Sequence, residues 1–131
     1  SNTWDTNTVS RLKLLSLILG RIELVKEGKV AILWLKREEL IALGFEKGDT
    51  EGFVNYGLSI AGTQMSAFFM EDLYEDFVKI SFRSKAHVDT NKFSRKYFNG
   101  GGHINASGGK YFKSIEKTIE DFTEFVGQED F

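Results

Sequence analysis

Val9, Leu12, Leu15, Leu19 and Ile22 recur at helical spacing behind two potential caps, Thr8 and Ser10. The chain is therefore predicted to open with a helix running to about Val25. Gly28 ends that unit. Lys29 to Leu35 switches to an apolar run with β-branched and aromatic residues, the pattern of a buried strand. Arg37 to Leu43 reads as a short helix stopped by Gly44. Gly48-Asp49-Thr50-Glu51 reads as a turn feeding a helix that carries Phe53, Val54, Leu58 and Ile60. Asp49 or Thr50 would cap it, and Glu51 would favour the positive end of its dipole.

Gln64 to Met70 and Phe77 to Ser84 are predicted as the two strands of a hairpin around the acidic Glu71–Asp76 loop. Asp89 or Thr90 would start a further helix ending near Asn99. Gly109 to Lys113 would form a last strand, and Ser114 would cap a closing helix with Ile115, Ile119, Phe122 and Val126 inward. Helices alternate with strands and one hairpin interrupts them. That order predicts an α+β fold, a single domain built on a mixed β-sheet covered by helices.

Composition narrows the chemistry. The 131 residues suffice for one domain with a real core, and the 12 phenylalanines point to a dense one. Cysteine is absent, so there is neither a disulfide framework nor a thiolate metal site, and a reducing, cytoplasmic setting is the simpler expectation. His87 and His103 are the only histidines, and a metal site would have to recruit carboxylates. A net charge of −2 argues against the whole chain as an electrostatic nucleic-acid binder. The apolar stretch Leu12 to Leu19 is too short to cross a bilayer, so no membrane partner is expected. Ser1-Asn2 reads as an expression scar, with the natural protein starting upstream.

Two local features carry candidate chemistry. In Gly100-Gly101-Gly102-His103-Ile104-Asn105-Ala106-Ser107-Gly108-Gly109, three consecutive glycines strip the loop of side chains. Bare amides can form an anion-binding nest, and a helical turn over His103 to Ser107 would add its positive end. His103 could donate to a phosphate oxygen. The competing reading is a flexible surface loop with a solvated histidine. Upstream, period-two alternation puts Val78, Ile80 and Phe82 on one strand face and Lys79, Ser81, Arg83 and Lys85 on the other. A guanidinium and an ammonium flanking Ser84 could grip a phosphate, or simply decorate a solvated face. From Phe82 to Phe98 the bases Arg83, Lys85, Lys92, Arg95 and Lys96 face one acid, Asp89. No Walker-type loop, H-E-x-x-H motif, cysteine nucleophile or nucleophile elbow is present.

Gly100-Gly101-Gly102-His103, two residues, then Ala106-Ser107-Gly108 resembles the Gly-Gly-Gly-His-x-x-Ala-Ala-Gly motif of the DHHA-type domain. This is the C-terminal half of DHH phosphoesterases, most similar here to the oligoribonuclease and pAp phosphatase branch. Arg83-Ser84-Lys85 looks like that branch's Arg-Ser-Lys step, and Gly48 to Asn55 like its turn-and-helix element. Ser107 departs from the usual second alanine. The resemblance divides the chain into residues 1–28, a linker or the tail of a DHH domain, and residues 29–131, the substrate-binding domain. It implies an absent catalytic DHH domain with manganese, and no cofactor in this chain. It further implies a short oligoribonucleotide, pAp or a dinucleotide held by Arg83, Ser84, Lys85, Gly100, Gly101, Gly102, His103 and, more weakly, Asn105. The fragment alone would then be inactive, with no catalytic residue of its own. An alternative is a stand-alone RNA-binding module similar to the C-terminal domain of alanyl-tRNA synthetases.

Overall fold

A computed structural model describes residues 7–131; Ser1-Asn2 and the rest of the first six positions of the 1–28 unit lie outside the described residues. The expected α+β architecture is present. One six-stranded mixed sheet runs in the order β1-β2-β3-β4-β6-β5 and carries helices on both faces. The strands are β1 (Glu23–Val25), β2 (Val30–Leu35), β3 (Met65–Glu71), β4 (Val78–Ser84), β5 (Gly101–His103) and β6 (Ala106–Tyr111). The helices are α1 (Val9–Gly20), α2 (Arg37–Ala42), α3 (Asn55–Leu58), α4 (Thr90–Tyr97) and α5 (Ile115–Gln128). β2 and β3 pair in parallel; every other neighbouring pair is antiparallel.

Burial explains the strand sequences. β2 is apolar throughout because it is covered on both faces, as parallel strands generally are. β4 instead alternates buried with exposed or half-buried residues, since only one of its faces is covered. On that covered face Phe82 packs against Phe93, Phe98 and Phe122, with ring centroids 5.6, 5.6 and 6.1 Å away. Each such pair contributes about 0.5–1.5 kcal/mol beyond area burial. The other face holds a second core of Leu14, Ile18, Leu33, Leu35, Leu40, Phe53 and Phe68, beneath α1, α2 and the 45–58 segment. That second layer stops short of β6 and β5.

Several expected boundaries move. The first helix ends at Gly20, and Glu23–Val25 forms an edge strand through a turn with positive φ at Lys26, Glu27 and Gly28. Ile22 and Val25 extend the helical period by coincidence. Within α1 the inward residues are Leu14 and Ile18, whereas Val9, Leu12 and Leu19 are exposed. Apolar residues occur on every side of this helix, so spacing alone does not select a face. The 45–58 stretch is mostly turns, with helix only at Asn55–Leu58, and Asp49 does not cap it. Its carboxylate instead accepts from Thr8 Oγ1 (2.8 Å), Ser10 Oγ (2.7 Å) and Glu46 N (2.8 Å).

Candidate functional site

The helical turn expected over His103 to Ser107 does not form. Gly101–His103 and Ala106–Tyr111 are two antiparallel strands joined at Ile104-Asn105. A clamp from α4 decides this. Thr90 donates its amide (2.6 Å) and its hydroxyl (2.9 Å) to the carbonyl of Ile104, and Ser107 Oγ donates to Thr90 O (2.8 Å). The helix-dipole contribution to anion binding is lost with the turn. Two of the three glycine amides are also engaged internally, Gly100 N with Ser94 O (3.1 Å) and Gly102 N with Asn91 Oδ1 (2.9 Å).

The glycines have an internal steric reason as well. A β-carbon on Gly100 would overlap the carbonyl oxygen of Gly108. One on Gly102 would stand 2.7 Å from Ala106 O, and one on Gly109 2.5 Å from Phe98 O. The hairpin and the end of α4 lie in direct backbone contact here. Gly101 differs: a β-carbon there meets Arg95 Nε and Asn91 Oδ1 at 3.4 Å, close to ordinary contact.

The Arg83-Ser84-Lys85 step splits by face. Ser84 is 7% exposed, donates to Val88 O (2.5 Å) and accepts from Asn105 Nδ2 (2.9 Å). Its hydroxyl and the Asn105 amide therefore lock the 84–88 loop to the hairpin turn. Lys85 is exposed just past the strand, and its amide donates to Gln64 O (2.9 Å). Arg83 points to the less covered face. Its Nη1 donates to Phe82 O (2.8 Å), and among the described residues it forms no salt bridge. Sheet register places Arg83 opposite Ala106 and Ala106 opposite His103. One cross-strand row thus carries the guanidinium and the imidazole with only a methyl between them, and His103 is exposed.

Arg83 lines a groove of about 160 Å³ with Thr50, Glu51, Gly52, Lys79 and Ser81. The turn at 48–55 and the end of β4, far apart in sequence, meet there. A shallower depression of about 320 Å³ lies over Gly100, Gly101, Gly108 and Gly109, edged by Lys79, Ser81 and Lys110. The sequence alone passed over Lys110 and Asn91 and counted Arg95 only as one base in a patch. Asn91 Oδ1 accepts from Arg95 Nε (3.3 Å) beside Gly101. Their four-residue spacing on one helix was the available signal. A larger cleft of about 580 Å³ beside Val78 has its cations already matched, Arg37 with Asp76 (3.7 Å) and Lys113 with Asp121 (3.3 Å).

Among the described residues no three His, Cys, Asp or Glu side chains are grouped to hold a metal ion. No helix among them is long and apolar enough to cross a membrane.

Comparison with known proteins gives a consistent picture. Residues 27–129 match the DHHA1 domain. The bifunctional oligoribonuclease and PAP phosphatase NrnA of Bacillus subtilis is 32% identical over 101 residues, covering 77% of this chain and 31% of that protein. A 3',5'-cyclic-nucleotide phosphodiesterase of Helicobacter pylori is 30% identical over 88 residues, covering 56% of this chain and 25% of that protein. The structure of an exopolyphosphatase-related protein from Bacteroides fragilis superimposes with a TM-score of 0.89 at 36% identity, covering 95% of this chain and 36% of the other. The chain therefore spans roughly a quarter to a third of these relatives.

Proposed function

This chain belongs to the DHHA1 domain family, and we propose that it is the substrate-binding part of a phosphoesterase acting on short oligoribonucleotides, pAp or dinucleotides. In this reading a DHH domain elsewhere in the protein supplies the manganese chemistry, and this chain holds the phosphorylated nucleotide in front of it. The single observation that carries the reading is the row Arg83–Ala106–His103 on the less covered sheet face. A guanidinium with no salt bridge among the described residues, one short side chain from an exposed imidazole, can bind a phosphate through charge-assisted hydrogen bonds. The nucleotide chemistry named for the relatives in Bacillus subtilis and Helicobacter pylori supports the same ligand class.

Calorimetric titration with pAp tests this. Charge-assisted hydrogen bonds contribute about 1.5–3 kcal/mol each, so Arg83→Ala should weaken binding by roughly ten- to a hundredfold. His103→Ala should also weaken it, while Lys92→Ala, on the exposed side of α4, should matter far less. Equal losses from Arg83→Ala and Lys92→Ala would replace the localised site with a diffuse basic patch. Competition by a folded tRNA stronger than by a dinucleotide would favour the RNA-binding-module alternative.

A further inference from the structure

Resting on that reading, we propose that Lys79 and Lys110 form a second anion seat, so that this chain binds a polyanionic strand lying along β4 rather than a single terminal phosphate. Lys79 and Lys110 are directly opposed on neighbouring strands, and both are exposed. Directly opposed like charges destabilise a sheet. Neither lysine forms a salt bridge among the described residues, whereas Lys113 and Lys117 nearby both pair with Asp121. Lys110 Nζ is held 4.6 Å above the centroid of the Phe77 ring, which restrains it without neutralising it. Two acids border the region. Glu51 lines the wall of the Arg83 groove, and Asp72, near enough to attract Lys110 though not in salt-bridge contact with it, directs its carboxylate to the amides of Tyr74 (3.0 Å) and Glu75 (2.8 Å). An anion between the lysines relieves their repulsion.

The two depressions connect at this point. Lys79 and Ser81 line both the Arg83 groove and the glycine-floored depression. Arg83 and Lys79 lie four residues apart on one strand, about 13 Å, too far for one phosphate to bridge. Between the cationic ends lie Ser81 and its cross-strand neighbours Gly108 and Gly101, which carry no side chain to obstruct a sugar or base. An extended strand covers that distance in two nucleotide steps, so the track reads as two phosphate seats with two nucleosides between them.

The test is a length series of 5'-phosphorylated mono-, di- and trinucleotides at low salt, with parent, Arg83→Ala and the Lys79→Ala/Lys110→Ala double variant. The parent should gain at least tenfold in affinity from mono- to trinucleotide. The double variant should lose that gain and melt at or above the parent because the like-charge opposition is gone. Its slope of log affinity against log salt for the trinucleotide should fall by about 0.7 per lost phosphate contact. A length gain that survives in the double variant, or a parent with no length gain, overturns the second seat. Arg83→Ala should weaken all three ligands alike. Unchanged mononucleotide affinity in Arg83→Ala would sink the primary site while leaving the second seat standing on its length dependence.

Discussion

At Gly100 the missing side chain makes room for the protein's own backbone, because any β-carbon there runs into the Gly108 carbonyl. Gly102 is similarly confined, with φ at 154° and Ala106 O and Ser107 Cα in the way. Gly101 is bounded only by the Arg95 and Asn91 side chains. The three glycines should therefore separate under alanine substitution. Gly100→Ala and Gly102→Ala should each destabilise by on the order of 3 kcal/mol in chemical denaturation. Gly101→Ala should melt within about 2 °C of the parent yet bind pAp several-fold more weakly, because its methyl group takes up space in the glycine-floored depression that a ligand would otherwise enter. Full affinity in Gly101→Ala would show that the strand at Gly101 does not touch the ligand. The sequence shows the triplet but not this division. Each glycine's role depends on strands and a helix that only the fold brings alongside.

At the scale of the element, α3 can lie against the sheet only because Gly57 faces Ser66 and Ala31; a β-carbon on Gly57 would overlap the Ser66 hydroxyl. Ser66 Oγ is fully buried and has no hydrogen-bond partner among the described residues. An unsatisfied buried hydroxyl costs about 1–3 kcal/mol. Ser66→Ala should accordingly raise stability by about 1 kcal/mol in urea unfolding. Gly57→Ala should lower it by roughly 2–3 kcal/mol through overpacking. The double variant should recover part of that loss, though not all, since Ala31 Cβ would remain 2.9 Å away. Additive effects in the cycle would show that α3 approaches the sheet elsewhere.

Over the whole molecule, two buried carboxylates join distant segments, Asp49 between α1 and the 46–49 turn and Asp121 between α5 and the end of β6. Burial opposes ionisation of Asp49 most strongly, but hydrogen bonds from Ser10, Glu46 N and Thr8 outweigh it and hold the carboxyl below its ordinary range. For Asp121 the Tyr111 hydroxyl (2.6 Å) is the largest cause of a lowered value, opposed by burial and aided by Lys117 and Lys113. A carboxylate whose folded pKa lies below its unfolded one stabilises the fold fully above the unfolded value, about 3.9 for Asp. That contribution is lost as pH falls through the folded value. The melting temperature should therefore be flat from about pH 5 to 8 and drop below about pH 4. Asp121→Asn should lower the neutral-pH plateau and flatten the acid limb. An unchanged acid limb would place the acid sensitivity in other carboxylates.

An apolar run for β2, alternation along β4, and caps with helical spacing for α2, α4 and α5 placed those elements and the β3–β4 hairpin to within a few residues, because burial writes itself onto the local sequence directly. The alternation in β4 also marked Arg83, Lys79 and Ser81 as one face, and the glycine motif marked the family. Tertiary structure alone decided three other matters. It chose Leu14 and Ile18 over Leu12 and Leu19 as the buried side of α1, since an all-round apolar helix has no intrinsic inner face. It made a hairpin of residues 101–111 instead of a helical turn, since Thr90 and Asn91, a dozen residues away, supply the hydrogen bonds. It also set Arg83 in one row with His103 and Lys79 opposite Lys110. Strand register is a relation between segments, and no single segment carries it.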